Sequence, residues 1–501
     1  MANKLFNTVK VSTPDSNMFD LTHDVKQTMQ MGNLVPILTM ECVPGDKVNL
    51  SSESLVRLAP LLAPVYQRMD VYTHYFFVPN RLVWENWEKF IVDANTPLVL
   101  PYVNYSNGYT SAQKKFLDYM GIPPNIGGTT TPINALPLAA YQCIYNEYYR
   151  DQNLITPVDY KLSDGNNDSI ASILFQIRKR AWEHDYFTSA LPFAQKGQAV
   201  DIPLGSIAAD APVFHNAATG SNSTITASPA NLTAVGRPPL GLITNTDLYA
   251  HTEGLDVSPT TINDLRRAFK LQEWLEKNAR GGTRYIESIL AHFGVKSPDA
   301  RLQRPEYITG SKSPIVISEV LNTTGIDGEL PQGNMAGHGI SVAGGNSGTY
   351  YCYEHGFIIG IMSILPRTGY SQGIPKHYLK THPLDYYWPS FANIGEQPIE
   401  KQEIFAYDAN ATDTFGYTPR YAEYKFINSR IAGDFRTTLD YWTLSRKFAT
   451  SPNLNQTFIE CSPDDTLRIF AVQDGTDPIY VQVVNKIMSR RKMPVYGTPT
   501  F

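Results

Sequence analysis

The chain has 501 residues, 42% of them hydrophobic, enough to bury a large core, and its 42 Lys and Arg against 47 Asp and Glu leave a net charge of −5. That sign excludes a surface that binds nucleic acid over its whole extent, so any such contact must be local. No stretch approaches the roughly 20 apolar residues of a membrane-spanning helix, the first ten residues lack an apolar signal-peptide core, and Cys42, Cys143, Cys352 and Cys461 are far apart with no CxxC pair, which argues against a zinc site or a disulfide framework.

Residues 1–33, rich in Ser, Thr, Asn, Asp and Lys and without sustained periodicity, are expected to form an extended arm that is ordered only against something else. A β-rich run over 34–43, a Pro44-Gly45-Asp46 turn and the alternating Lys47-Val48-Asn49-Leu50 predict a strand, a turn and a second strand. Residues 69–79, β-branched and aromatic throughout and closed by Pro79, predict a central strand. Asn80 is expected to cap a helix carrying Leu82, Val83, Trp87, Phe90 and Ile91 at helical spacing.

Further helices are predicted over 111–120, stopped by Gly121, over 138–149 and over 169–183, where Ile170, Ile173, Leu174, Ile177 and Ala181 form one stripe. Residues 205–259 are polar and dominated by Ala, Ser, Thr, Asn, Gly and Pro, far longer than an ordinary loop of about 4–6 residues. Thr261 and Asp264 then have the spacing of a capping box opening a helix through Asn278, and a shorter helix runs from Arg284 to Gly294. After Pro314 strands are predicted over 315–317, 356–364, 420–427 and 467–472. Strands at both ends with helices and loops between them describe a mainly β protein, one core carrying large insertions.

There is no GxxxxGK[ST] phosphate loop, GxSxG nucleophile elbow or HExxH zinc helix, and the carboxylates are too scattered to nominate an acid/base pair, which lowers the expectation of an enzyme or a cofactor without excluding either. His377 and His382 stand five residues apart beside Pro383, a spacing that suits packing or surface histidines better than a metal site. The run Ala279-Arg280-Gly281-Gly282-Thr283-Arg284-Tyr285 reads as a helix C-cap more simply than as an anion loop. Asn222-Ser223-Thr224 and Asn231-Leu232-Thr233 match the glycosylation triplet and, without a leader segment, are read as chance. Arg490, Arg491 and Lys492 with Tyr496, in a basic tail over 488–501, combine phosphate-neutralising charge with a ring able to stack on a base; a solvated charge run is the alternative. With 30 Tyr, 22 Phe and 6 Trp against only 18% charged residues, the composition suits surfaces buried against other chains, or equally a large aromatic core.

Several ordered blocks closely resemble major capsid proteins of the Microviridae, the gokushovirus-like branch above all. They are Arg57-Leu58-Ala59-Pro60, Met69-Asp70-Val71-Tyr72, the run from Phe76-Phe77-Val78-Pro79-Asn80-Arg81 through Trp87-Glu88-Lys89-Phe90, Thr261-Ile262-Asn263-Asp264-Leu265-Arg266, the Ala279 to Tyr285 run, His292-Phe293-Gly294-Val295, Ser297 to Tyr307, Gly395-Glu396-Gln397 and Arg420-Tyr421-Ala422-Glu423-Tyr424. The blocks span nearly the whole chain, and residues 205–259 are the main departure. The resemblance implies an eight-stranded viral jelly roll of two antiparallel sheets over residues 34–501, with large helix- and loop-containing insertions. It also implies a structural subunit, not an enzyme, that self-assembles into a T=1 icosahedral virion around circular single-stranded DNA in the bacterial cytoplasm. On that reading residues 1–33 and 488–501 face the interior, where Arg490, Arg491, Lys492 and Tyr496 contact DNA. Residues 205–259 face outward at the threefold axes, with Thr219, Asn222, Thr224, Asn231 and Thr233 available for host attachment. Expected partners are other copies of the chain, a small basic DNA-binding phage protein, a pilot protein and a host receptor. A non-viral β-rich binding protein and a hydrolase on a β scaffold remain the alternatives from the residues alone.

Overall fold

Alternating apolar and polar residues, interrupted by turns, give ten strands in two main antiparallel sheets. They are β1 (Asn17–Asp20), β2 (His23–Met29), β3 (Val35–Cys42), β4 (Lys47–Leu58), β5 (Met69–Pro79), β6 (Glu306–Pro314), β7 (Val316–Leu321), β8 (Met335–Tyr351), β9 (Gly356–Pro366) and β10 (Ile479–Arg491). The first sheet runs β1-β10-β4-β8-β7, with β2 also on β10, and the second runs β6-β5-β9-β3. The computed structural model describes residues 15–93, 95, 97–124, 130–198, 200, 213–216, 221–228, 231–234, 248–251, 261–323 and 333–496. Residues 1–194 with 281–501 make up one compact unit and residues 195–280 a second.

The two sheets close on one core. Val48, Leu50, Val56 and Leu58 of β4 and Ile479, Val481, Val483 and Ile487 of β10 meet Val71, Tyr75 and Phe77 of β5 and Ile358, Met362 and Ile364 of β9. Inward residues of β10 alternate with outward ones along its whole length, as a half-exposed strand requires. In β5 and β9 both faces are buried: Phe76, Val78, Phe357, Ile359 and Ile361 turn away from the first sheet into a second cluster. That explains the nearly continuous apolar run of each.

Among the described residues the first unit carries α1 (Asn80–Val83), α2 (Trp87–Val92), α3 (Ser111–Tyr119), α4 (Leu136–Ile144), α5 (Ala171–Leu174), α7 (Tyr285–Phe293) and α8 (Gln456–Ile459), while α6 (Ile262–Gly281) belongs almost wholly to the second unit. Phe116 and Leu117 of α3 and Leu138, Tyr141 and Ile144 of α4 cover the outer face of the second sheet. Helix α3 opens on a reciprocal Thr110–Gln113 capping box, and α4 continues through a π-helical turn, Tyr145–Tyr149. The Thr261–Asp264 pair is present too, the Thr261 hydroxyl donating to Asp264 Oδ2 at 2.6 Å and accepting from the Asp264 amide at 3.2 Å.

Five expectations need correction. The 169–183 helix is only a 3-10 turn, Asp168–Ile170, followed by α5. Beyond it the backbone is taken by strand-like bonds: the Leu34 amide donates to Arg178 O, Arg180 to Gly32 O and Trp182 to Ile459 O, which leaves no i→i−4 ladder. The helix begun at Asn80 is two short pieces, α1 and α2, broken where Trp84 turns extended and its indole donates to Asp164 at 2.8 Å; Asn80 makes no capping bond. Residues 420–427 are not a strand, since Tyr421 adopts a left-handed φ of 63° and a 3-10 turn, Ala422–Tyr424, follows. The apolar 467–472 run lies in and after the 3-10 helix Pro463–Ile469, with Ile469 and Phe470 fully buried. Residues 17–29 of the expected arm are strands β1 and β2, because β10 offers them an edge to pair with.

Candidate nucleic-acid interface and surface sheet

Strand β10 passes Arg490 and Arg491 to opposite faces. Inward positions run Ile479, Val481, Val483, Asn485, Ile487 and Ser489, so Arg491 follows them and Arg490 points out. The Arg491 guanidinium lies 3.1 Å from Oδ2 of Asp46, a side chain with no exposed surface in the turn between β3 and β4, and also donates to Glu41 O at 2.9 Å. Arg491 is thus engaged in holding the β3–β4 turn against the end of β10.

Arg490 stands directly opposite Lys47 of β4, both exposed, and neither has an ion-pair partner among the described residues. Like charges facing each other across a strand pair repel, so this pair favours an anion between or above them. Lys492 is exposed just beyond, with its aliphatic stem over the turn at Gly45, and Tyr496 is 81% exposed. The segment after β10 is tied back to β1, the Asn17 side-chain amide donating to Met493 O at 2.7 Å. The structure therefore gathers Arg490, Lys492 and Lys47 at one end of the first sheet and draws Arg491 inward. Lys47 escaped sequence reasoning because only sheet register places it beside Arg490.

The other candidate residues lie in the second unit. Its sheet has the order Asn231–Ala234, Ser221–Ser228, Val213–Asn216, Leu248–His251. Asn222 and Thr224 are on the second of these strands and Asn231 and Thr233 on the first, in register with Ser228 and Thr226. Thr219 and much of the 205–259 stretch lie outside the described residues.

Elsewhere the candidate chemistry is engaged in structure. His382 caps a 3-10 turn, its Nδ1 accepting from the Leu384 amide at 3.2 Å, and His377 packs on Tyr378 with ring centroids 4.1 Å apart. In the 279–285 run, Arg284 spans to Asn146 O at 2.7 Å and Arg150 O at 3.1 Å. All four cysteines are buried free thiols, and burial pushes Cys143 up to about 12. On the second sheet, a cavity of about 480 Å³ is lined by His74, Tyr148, Tyr149, Arg180, Trp182 and Tyr307 among others. His74 Nδ1 is 2.7 Å from the Tyr149 hydroxyl, and burial, with the Arg180 charge second, holds its pKa down to about 4.

Comparison with known proteins finds relatives along almost the whole chain. A family model described as capsid protein (F protein) matches residues 7–501. The chain is 35% identical to the capsid protein VP1 of Chlamydia phage 1, the match covering 99% of this chain and 97% of the relative. It is 37% identical to the capsid protein VP1 of Bdellovibrio phage phiMH2K and 30% identical to that of Spiroplasma virus 4, each match covering 96% of this chain and 94% of the relative.

Proposed function

Because the chain belongs to the capsid protein (F protein) family of the Microviridae, with a structural role in the virion, we propose that its copies close into a small T=1 icosahedral shell around circular single-stranded DNA. The sheet order is the observation that carries the subunit reading. Taking β2, β3, β4, β5, β6, β8, β9 and β10 in turn, one sheet is β2-β10-β4-β8 and the other β3-β9-β5-β6, an order that supports the reading of an eight-stranded jelly roll built from two Greek keys. The connections from β5 to β6 and from β9 to β10 are then its large insertions, the first containing residues 205–259. Identical subunits that present different edges to one another accumulate many weak contacts into a closed particle.

On this reading the Lys47, Arg490 and Lys492 end of the first sheet, with Tyr496 beside it, faces the genome, and Arg491 supports it from behind. A net charge of −5 leaves most phosphate neutralisation to a small basic phage protein inside the shell. The 205–259 stretch projects outward for host-receptor contact, a pilot protein accompanies the DNA, and assembly takes place in the bacterial cytoplasm.

Electron microscopy of particles from the full chain tests the shell, with uniform closed spheres expected; open sheets or discrete small oligomers would refute it. Arg490→Gln with Lys492→Gln should then lower DNA content per particle without lowering particle yield, and equal DNA content would remove these residues from the interface. Deleting residues 219–233 should leave assembly intact while reducing adsorption to host cells; unchanged adsorption would exclude the attachment role.

A further inference from the structure

The connection between β9 and β10 exposes rings that one subunit has no use for. Leu384, Tyr386, Tyr387, Trp388, Tyr424 and Ile427 are 49, 54, 50, 48, 55 and 90% exposed. They form one patch: Tyr387 lies against Tyr424 with ring centroids 6.3 Å apart, Lys380 sits over both Tyr424 and Tyr386 at 4.0 and 5.5 Å, and Trp388 is anchored through its indole N–H to Pro383 O at 3.0 Å. Ile427 joins them along the cavity it shares with Glu423, the ion-pair partner of Lys380.

The charges set among these rings are satisfied within the chain except at Lys425, which is exposed and among the described residues donates only to Arg420 O at 3.4 Å. Lys380 pairs with Glu423 at 2.9 Å with both side chains largely buried, Asp385 accepts from the Thr381 and His382 amides, and Arg420 donates to Leu384 O at 2.9 Å. The surface is therefore aromatic, poor in free charge and cheap to desolvate, the composition of an interface centre and unlike ordinary solvent-facing surface. At about 100 Å² for each half-exposed large side chain, six of them offer on the order of 600 Å². That is most of the roughly 800 Å² each partner contributes to a standard interface.

We infer that the Leu384–Trp388 and Tyr424–Ile427 patch is a contact between subunits, covered in the particle by a second copy of this chain. The inference rests on the shell reading, in which each subunit is flanked laterally by identical chains, so the occupant present at highest local concentration is another copy. The surface the patch meets is correspondingly apolar, with at most an acceptor or carboxylate opposite Lys425.

The test uses the full chain, with Trp388→Asp and Ile427→Asp as separate variants and Trp388→Phe as the variant that keeps the apolar area. Thermal unfolding identifies folded variants; at Ile427, 90% exposed, the change leaves the subunit fold intact. Sedimentation should show particle yield at least tenfold lower for folded Asp variants, with parent and Trp388→Phe assembling. Oxidative footprinting should find Trp388 and Tyr386 protected in parent particles relative to the free chain. If the folded Asp variants assemble as the parent does and footprinting finds no protection, the patch assignment fails while the shell reading stands. If the parent itself never associates, both fail.

Discussion

The Tyr75 hydroxyl donates to Oδ1 of Asn485 at 2.8 Å, joining β5 of one sheet to β10 of the other through the middle of an otherwise apolar core. Asn485 has no exposed surface, and its amide also donates to Ile37 O on β3 at 2.9 Å, so one side chain ties β10 to two strands of the facing sheet. Burial pushes the Tyr75 phenol up to about 12, with a hydrogen bond from Ser52 acting against it. Such a bond fixes how the sheets face each other where apolar contacts alone would tolerate sliding.

Asn485→Leu therefore removes the hydrogen bonds to the Tyr75 hydroxyl and the Ile37 carbonyl, leaving the Tyr75 proton without its buried acceptor. A loss of about 3 kcal/mol is expected in urea unfolding of the unassembled subunit. Adding Tyr75→Phe to that variant should cost less than the same change in the parent, because the hydroxyl it removes has already lost its Asn485 acceptor. Additive losses would mean the two residues act independently.

Arg491 and Asp46 make the same kind of argument for a charge pair. With Asp46 fully buried and Arg491 mostly so, Arg491→Gln strands a carboxylate in the interior, and a loss of about 3 kcal/mol is expected. Asp46→Asn together with Arg491→Gln should recover part of it, since neither partner is then charged. The same substitution at Arg490, which points outward, should leave the unfolding midpoint unchanged.

How much of this was legible before the fold was known depended on whether local pattern or long-range pairing decided each element. β5 and β9 are buried on both faces, and their unbroken β-branched and aromatic runs announce it; α3 announces itself by its stop at Gly121 and α6 through Thr261–Asp264. β8 carries five glycines between Gly337 and Gly348 and so lacks the β-branched signature; at Gly348 an added Cβ would lie 2.9 Å from Thr309 Cβ. β10 does alternate, but its outward residues include Gln482, Lys486 and Arg490, and its end was read as a tail. That error also hid the site, since a basic tail is three equivalent charges whereas a strand divides Arg490 from Arg491. The segments 420–427 and 467–472 have strand composition, yet they are turns, from which Ala422, Ile469 and Phe470 reach buried clusters while Tyr424 and Ile427 stay exposed.

Acid should weaken the subunit through His74. Its pKa in the fold, about 4, lies below its ordinary value of 6.5, so between these pH values the unfolded chain holds a proton the folded one refuses. Stability contributed above pH 6.5 is lost as pH falls toward 4, at about 1.4 kcal/mol per unit and about 3 kcal/mol in all. Glu403 and Asp465, raised by burial, act in the opposite sense, losing stability as pH rises through the carboxylate range. Urea midpoints at pH 7 and pH 4.5 should therefore differ less for His74→Gln than for the parent; equal differences would place the acid sensitivity elsewhere.

The strongest handle on the proposed genome contact is its salt dependence. A cation that neutralises a backbone phosphate releases a counterion, and for single strands each such contact contributes about −0.7 to the slope of log K against log salt. Arg490 and Lys492 are exposed and without ion-pair partners among the described residues, so each is free to make one such contact, whereas Arg491 is held by Asp46. Binding of the unassembled chain to a single-stranded oligonucleotide, titrated at several salt concentrations, should lose about 1.4 from its slope in the Arg490→Gln, Lys492→Gln variant. Arg491→Gln, if folded at the assay temperature, should leave the slope close to that of the parent, because its charge is spent on a carboxylate. A slope that falls equally for all three positions would mean that the strand geometry separating Arg490 from Arg491 does not govern the contact. A slope unchanged by any of them would move DNA binding away from this end of the sheet altogether.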